Sequence, residues 1–309
     1  MQVRFAWTFF VFSACSTQTP TPSPTLTPPP SRTQTQTQTR TQAPTPTPPP
    51  AYDLAADRKR IESLARAELG DVSIQTAQDV FVLVAAPGWN ASALASSVDL
   101  TTHAIDAYFN GRFDKKPDKA IGVYLFPEAK SYQDYCRAKL GGTCDSPFGM
   151  YHPNIRRIVM NAGPGLGTLT HELVHPIVET DFPRAPIWIN EGIASLYEAP
   201  VMPRPGEIHG VKNWRYGKLM TGLGAGTAKL DGLFGMSDEA FRDADEKMHY
   251  ATARYVCQWL DARGLLWPFY RAWRDSYDAD PTGAKTFERV VGMAPARANP
   301  AWTAWVKAL

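Results

Sequence analysis

The chain has 309 residues, of which 44% are hydrophobic and 20% are charged, and its formal net charge is +2. This near-neutral balance gives no electrostatic reason to expect nucleic acid as a partner. The length suits one or two domains. The first fifty residues, however, lack the composition of a folded domain.

The first fifteen residues, "MQVRFAWTFFVFSAC", have the pattern of a secretory signal. Arg4 precedes an apolar run that is much shorter than the roughly 20 residues of a membrane span. "FSAC" resembles the lipobox of bacterial lipoproteins, although Phe12 stands where leucine is usual. The resemblance implies a lipid on Cys15 that anchors the protein to a membrane of the bacterial cell envelope, after secretion across the inner membrane. An ordinary signal peptide cut near Cys15 is the alternative.

Residues 16–50 are rich in threonine and proline and contain a single large apolar residue, Leu26. Such a segment buries too little apolar surface to offset the entropy lost on ordering. Proline-rich chains extend by about 3 Å per residue, so this one could reach on the order of 100 Å. We therefore expect a disordered tether before a folded domain that spans residues 51–309.

The patterns after residue 51 predict a mixed α/β half followed by a helical half. In chain order they predict a helix up to Gly70, two strands or one broken strand in "VSIQTAQDVFVLVAA", a helix in "ASALASSVDLTTHAIDAYF", a strand in "KAIGVYLF", a helix in "SYQDYCRAKL" and a strand in "NIRRIVMN". Helices at about 168–180 and 186–199 follow, and the remainder has helical periodicity. The expected fold class is α+β, with a small sheet in the N-terminal half only.

The cysteine pattern is consistent with an oxidising compartment. Cys136 and Cys144 flank a Gly-Gly turn, and a disulfide between them would stabilise the fold by roughly 2 to 3 kcal/mol. Two buried free thiols are the alternative. Cys257 lies within a helical pattern, so we expect a small core residue there.

The stretch "TLTHELVHPIVE", residues 168–179, contains two histidines four residues apart. On an α-helix His171 and His175 share a face and can bind one metal ion, while Glu172 lies beside them, where a general base is needed. Thr168 is expected to cap this helix after a glycine-rich turn. Pro176 removes a backbone hydrogen bond, so the helix should bend there or end soon afterwards.

A catalytic zinc ion takes three protein ligands and keeps a fourth position open. Asp181 could reach the metal only through a turn whose usual glycine is replaced by Val178. Glu179 lies one turn too far along the same helix. Glu191, in "WINEGIASLYE", follows a proline-containing loop that can reverse the chain, and it is the favoured third ligand.

"HELVH" followed by "APIWINEGIASLYE" resembles the gluzincin metallopeptidases, most closely the peptidase MA-like family. The resemblance extends from about residue 80 to about residue 274. "FGMYHPNIRRIVMN" is similar to the hairpin strand before the metal helix of that family, and "HYATARYVCQWLDARG" is similar to its tyrosine-led helix. A zincin-like domain is implied, in which His171, His175 and Glu191 bind Zn²⁺ and Glu172 is the general base.

The implied function is zinc-dependent hydrolysis of peptide bonds in a peptide or protein substrate. A non-catalytic surface module that binds a partner through the same fold is the alternative. The resemblance also implies a tyrosine or histidine that donates to the oxyanion. Tyr250 matches best, with His249 as the other candidate and a packed aromatic as the alternative role. Tyr255 is expected in the core.

Met160 and Asn161 end the last predicted strand before the metal helix. In gluzincins an edge strand at this place pairs with the substrate backbone, and an ordinary interior strand is the alternative. Arg156 and Arg157 are expected on the solvated face of a hairpin.

Overall fold

The computed structural model describes residues 52 to 309. The signal pattern, Cys15 and the tether at residues 16–50 lie outside the described residues. The N-terminal half contains three helices and five strands: α1 (Leu54–Leu69), β1 (Ser73–Ala77), β2 (Phe81–Ala85), α2 (Ala91–Tyr108), β3 (Ile121–Phe126), α3 (Ala129–Lys139), β4 (Gly149–His152) and β5 (Arg157–Asn161).

Short and long helices make up most of the C-terminal half. In chain order they are α4 (Leu169–Glu172), α5 (Val174–Asp181), α6 (Ile187–Leu196), α7 (Arg215–Ala225), α8 (Asp238–Phe241), α9 (Glu246–Asp261), α10 (Leu266–Ser276), α11 (Ala284–Val291) and α12 (Pro295–Lys307). Beyond β5, the described chain has one isolated bridge, between Val201 and His209. Within residues 52 to 309, no helix is both long and apolar enough to cross a bilayer.

The five strands form one sheet in the order β1-β2-β3-β5-β4. The three central strands are parallel, and β1 and β4 are antiparallel edge strands. All side chains of β2, β3 and β5 are buried, because helices cover both faces of the sheet. One face packs against α1 and α3, and the other joins the large core that continues into the C-terminal helices.

A small sheet followed by helices is the architecture that the sequence patterns predicted. α1 ends at Gly70, which adopts a φ of 80°. The pattern "VSIQTAQDVFVLVAA" forms two strands, β1 and β2. Cys136 and Cys144 form a disulfide, and Cys257 is a buried free thiol in the core.

Of the two alternatives for the end of β5, the interior strand is the one found, and the expectation of a solvated arginine pair is wrong. β5 is an interior strand between β3 and β4, so Met160 and Asn161 do not lie on an edge. The arginines at its start are not a solvated face, because each pairs with an acid on α1. Arg156 contacts Asp57, and Arg157, whose side chain is 7% exposed, contacts Glu68.

Candidate metal centre

The helix that carries both histidines is divided in two. α4 ends at Glu172 and α5 begins at Val174, so the break falls at Leu173, before the proline. Leu173 keeps helical backbone angles, with φ −66° and ψ −22°, so the interruption corresponds to the hydrogen bond to the Glu172 carbonyl that Pro176 cannot donate, as predicted. The helix then ends at Asp181, shortly after the proline.

Thr168 precedes α4, but its side chain makes no capping hydrogen bond, contrary to expectation. Its backbone is already helical, with φ −88° and ψ −15°, whereas a capping side chain needs an extended backbone. Thr170 instead ties this region to the next helix, since its hydroxyl donates to the carbonyl of Tyr197 at 2.6 Å.

The three predicted metal ligands come together. Helix α6 packs against α4 and α5, which brings Glu191 to the two histidines. One ligand atom each of His171, His175 and Glu191 lies within 4.8 Å of the others. Glu191 Oε2 is 3.5 Å from His171 Nε2 and 3.8 Å from His175 Nε2. In the described part of the chain, no second group of this kind is found.

The donor set fits a metal ion. Two imidazoles and a carboxylate are typical catalytic zinc ligands, and bonds of about 2.0 to 2.1 Å in tetrahedral geometry separate ligand atoms by about 3.3 Å. The separations from Glu191 to the histidines are slightly longer than this. Glu191 Oε2 is also buried without a hydrogen-bond partner, although buried polar atoms are normally satisfied. This buried His-His-Glu group can hold a metal ion.

Glu172 lies beside His175, where the predicted general base is needed. Its side chain is 5% exposed, and Oε2 is 3.9 Å from His175 Nε2. Burial raises the pKa of Glu172, and the negative charges of Glu191 and Glu198 act in the same direction, against the two histidines. A carboxylate with a raised pKa is a stronger proton acceptor.

The two histidines have neighbours that the sequence patterns did not indicate. His175 Nδ1 is 3.0 Å from Asn190 Oδ1. His171 Nδ1 has no hydrogen-bond partner and lies 3.5 Å from Glu198 Oε1. Glu198 is in turn held by Arg215, whose Nε donates to Oε2 at 2.7 Å. Spacing could have suggested Glu198, because it lies seven residues, about two helical turns, after Glu191. A hydrogen-bond partner such as Asn190 fixes the tautomer and direction of a ligand histidine.

The other two candidates for the third ligand lie elsewhere. Glu179 is exposed and accepts a hydrogen bond from the Tyr151 hydroxyl at 2.6 Å. Asp181 is fully buried and pairs with Arg274, with both carboxylate oxygens 3.0 Å from Nη1.

A cleft of about 650 Å³ opens over the three ligands, and we call it the metal cleft. The edge strand β4 and the preceding residues 145–148 form one wall. Arg242, Lys247 and Tyr250 contribute to another. The Tyr250 hydroxyl lies 3.5 Å from Arg242 Nη1, whereas His249 Nδ1 is 2.9 Å from the backbone carbonyl oxygen of Phe241.

Tyr250 therefore lies in the metal cleft, whereas the imidazole of the neighbouring His249 contacts the backbone. Tyr255 is fully buried, as expected. Asn161 does not line the cleft, since its amide donates to the carbonyl of Pro147 at 2.9 Å and so supports the loop before β4.

Comparison with protein-family models and with curated proteins finds no match to this chain.

Proposed function

We propose that this chain is a zinc-dependent peptidase of the zincin-like, gluzincin type. The observation that carries the proposal is the buried group of His171, His175 and Glu191 with the carboxylate of Glu172 in the same cleft. A purely structural metal site has no use for a second carboxylate, Glu172, that is not one of the ligands and has a raised pKa. This favours an enzyme over a surface module that only binds a partner.

When bound, a zinc ion supplies Lewis acidity, which polarises the scissile carbonyl and lowers the pKa of water toward about 7. Glu172 accepts a proton from the attacking water and passes it to the leaving amine. Tyr250 donates its hydroxyl proton in a hydrogen bond to the carbonyl oxygen as negative charge develops there. The free side of β4, the edge strand along the cleft, can pair with an extended peptide.

We further propose a location outside the cytoplasm. It is supported by the signal pattern ending at Cys15 and by the disulfide between Cys136 and Cys144, since disulfides persist in oxidising compartments. Lipid on Cys15 would hold the domain near a membrane through the tether. In the producing cell, Cys15→Ala should move the protein from the membrane fraction to the soluble fraction.

Metal analysis and a peptide-library assay test the proposed activity. We expect about one zinc ion per purified chain, and a large loss of zinc in His171→Ala, because three ligands are needed to hold the ion. His209→Ala is the matched control, since this histidine is exposed and its side chain pairs with Glu207, outside the metal cleft. Zinc content that His171→Ala leaves unchanged would contradict the metal site.

The Glu172→Gln variant distinguishes an enzyme from a module that only binds a partner. The amide keeps the size of the side chain but cannot accept the proton, so cleavage should disappear while zinc stays bound. Cleavage that persists in this variant would remove Glu172 from the reaction. A wild-type chain that binds zinc but cleaves no peptide in the library would favour the binding module.

A further inference from the structure

We propose that Arg242 and Arg215 act as positioning residues that hold the Tyr250 hydroxyl at the metal centre. We call the two side chains the arginine clamp. The proposal rests on the proposed function in one respect: a fixed hydroxyl matters for turnover only if Tyr250 donates to the reacting carbonyl. The physical claim, that the clamp fixes Tyr250, stands on contacts alone.

Arg242 follows α8 and bridges a metal ligand and the tyrosine. Its Nη2 donates to Glu191 Oε1 at 3.2 Å, and its Nη1 lies 3.5 Å from the Tyr250 hydroxyl and 3.4 Å from Glu246 Oε1. Arginine suits this bridge because its planar fork presents several donors in fixed directions. The contact uses Oε1 of Glu191, whereas Oε2 faces the histidines. Arg242 therefore leaves the metal-facing oxygen free.

Arg215 contacts the ring of the same tyrosine. Its guanidinium carbon lies 4.9 Å from the centroid of Tyr250, within the range of a cation–π interaction. Glu198 holds this guanidinium through contacts of 2.7 Å and 2.5 Å. Phe241 adds an aromatic contact, with ring centroids 5.2 Å apart. The ring and the hydroxyl of Tyr250 are thus held by different partners.

These contacts close into a circuit through two of the metal ligands. It runs in the order His171, Glu198, Arg215, Tyr250, Arg242, Glu191 and back to His171. The direction of the phenol is therefore coupled to the side chains that hold the metal. Donors that are already aimed where charge will develop stabilise a transition state without reorganising. The clamp supplies that aim for Tyr250.

A direct test measures the order of Tyr250 and needs no enzymatic activity. Protein labelled with 3-fluorotyrosine is compared by ¹⁹F NMR, and the Tyr250 resonance is assigned as the one missing from Tyr250→Phe. We expect one narrow resonance in the wild-type chain. It should shift and broaden in Arg242→Gln, because the hydroxyl loses its partner. Arg242→Lys should not restore it, since one ammonium cannot span both contacts.

Arg137→Gln is the matched control. The side chain of Arg137 is 52% exposed and pairs with one acid outside the metal cleft, whereas that of Arg242 is 51% exposed. The Tyr250 resonance should be unchanged in this control. An unchanged resonance in Arg242→Gln as well would overturn the clamp, whether or not the protein cleaves peptides.

A double-mutant cycle tests the consequence for turnover. Arg242→Gln should lower kcat by about 10- to 100-fold with little change in KM, the size of effect caused by a misplaced catalytic group. In the Tyr250→Phe background the same substitution should change kcat by less than about threefold, because the two residues act as a unit. Zinc content should stay that of the wild type.

Equal losses of kcat in both backgrounds, or loss of zinc in Arg242→Gln, would mean that Arg242 acts through Glu191 and would overturn the proposal. If the wild-type chain cleaves no peptide, the proposed function fails, and the NMR result alone decides whether the clamp holds Tyr250.

Discussion

Glu191, the third candidate ligand, has a different neighbour at each of its carboxylate oxygens. Glu191 presents Oε2 to the histidines and Oε1 to Arg242. Burial alone would raise the pKa of Glu191, but the positive charges of the two histidines and Arg242 hold it at about 2. The carboxylate is therefore ionised at neutral pH, as a metal ligand must be.

Tyr250 is the residue whose role a single substitution tests best. Removing one oxyanion donor typically costs about 100- to 1,000-fold in turnover, so Tyr250→Phe should lower kcat by this factor. Zinc content and Tm should stay nearly constant, because the ring keeps its contacts with Arg215 and Phe241. Steady-state kinetics with metal analysis checks both. Near-normal turnover would remove Tyr250 from the reaction.

At the scale of elements, Asp57 makes one of the two ion pairs that join α1 to the start of β5, and Glu68 makes the other. Asp57 Oδ2 accepts from Arg156 Nη2 at 2.7 Å, and Oδ1 accepts from Arg60 Nη2 at 2.8 Å. Tyr52 also donates to Asp57. Burial opposes ionisation of Asp57, but the hydrogen bond from Tyr52 and the interactions with the two arginines outweigh it and lower the pKa below 3.8.

Asp57→Asn should therefore lower the free energy of unfolding by about 1.5 to 3 kcal/mol at pH 7, the range for hydrogen bonds to a charged group. A depressed pKa contributes stability above the unfolded-state pKa of about 4, which is lost as the pH falls through the folded-state value. The difference between variant and wild type should thus be constant from pH 7 to about pH 5 and shrink below about pH 4. Urea unfolding at a series of pH values measures it, and a difference that grows on acidification would contradict the assignment.

The wall of the metal cleft that precedes β4 is fixed by its contacts with α3. The disulfide to Cys136 on α3 holds Cys144, which directly precedes the cleft residues 145–148. The Tyr132 hydroxyl donates to the carbonyl of Ser146 at 2.9 Å. The loop before β4 is therefore attached to α3 and not free to move away from the ligands.

At the scale of the whole molecule, one arginine joins the C-terminal helices to the N-terminal half. Arg274 on α10 contacts Asp181 at the end of α5 at 3.0 Å and Asp114, in the loop after α2, at 2.8 Å. The side chain of Asp181 is completely buried. Without Arg274 this buried carboxylate keeps the backbone N–H groups of Asp114 and Lys115 as donors but loses its cation, and a buried charge without its counter-charge strongly destabilises a fold.

Arg274→Met should therefore lower the free energy of unfolding by about 3 to 5 kcal/mol, with a fall in Tm of roughly 10 °C for a domain of this size. Arg184→Met is the control, because Arg184 pairs with the exposed Asp278 and surface pairs contribute about 1 kcal/mol or less. Calorimetry of both variants compares them. Equal falls in Tm would show that the buried pair contributes no more stability than the surface pair.

The sequence by itself was sufficient wherever the information is local. The four-residue spacing of His171 and His175, the alternation in the strands and the glycine after α1 act over one or two turns of chain, where backbone geometry leaves few choices. The motif pattern also indicated Glu191 and Tyr250, and both lie at the cleft. The disulfide was predictable because its cysteines flank a turn.

Only the tertiary structure decided what depends on distant segments. The sheet order makes β4, not β5, the edge strand, and it buries Arg157 against Glu68, which no local pattern of charge reveals. The contacts of Glu198, Arg215 and Arg242 likewise come from packing between helices. Such contacts depend on how whole elements bury their apolar faces. The free energy of that packing depends on the complete core, so no short stretch of the chain determines it.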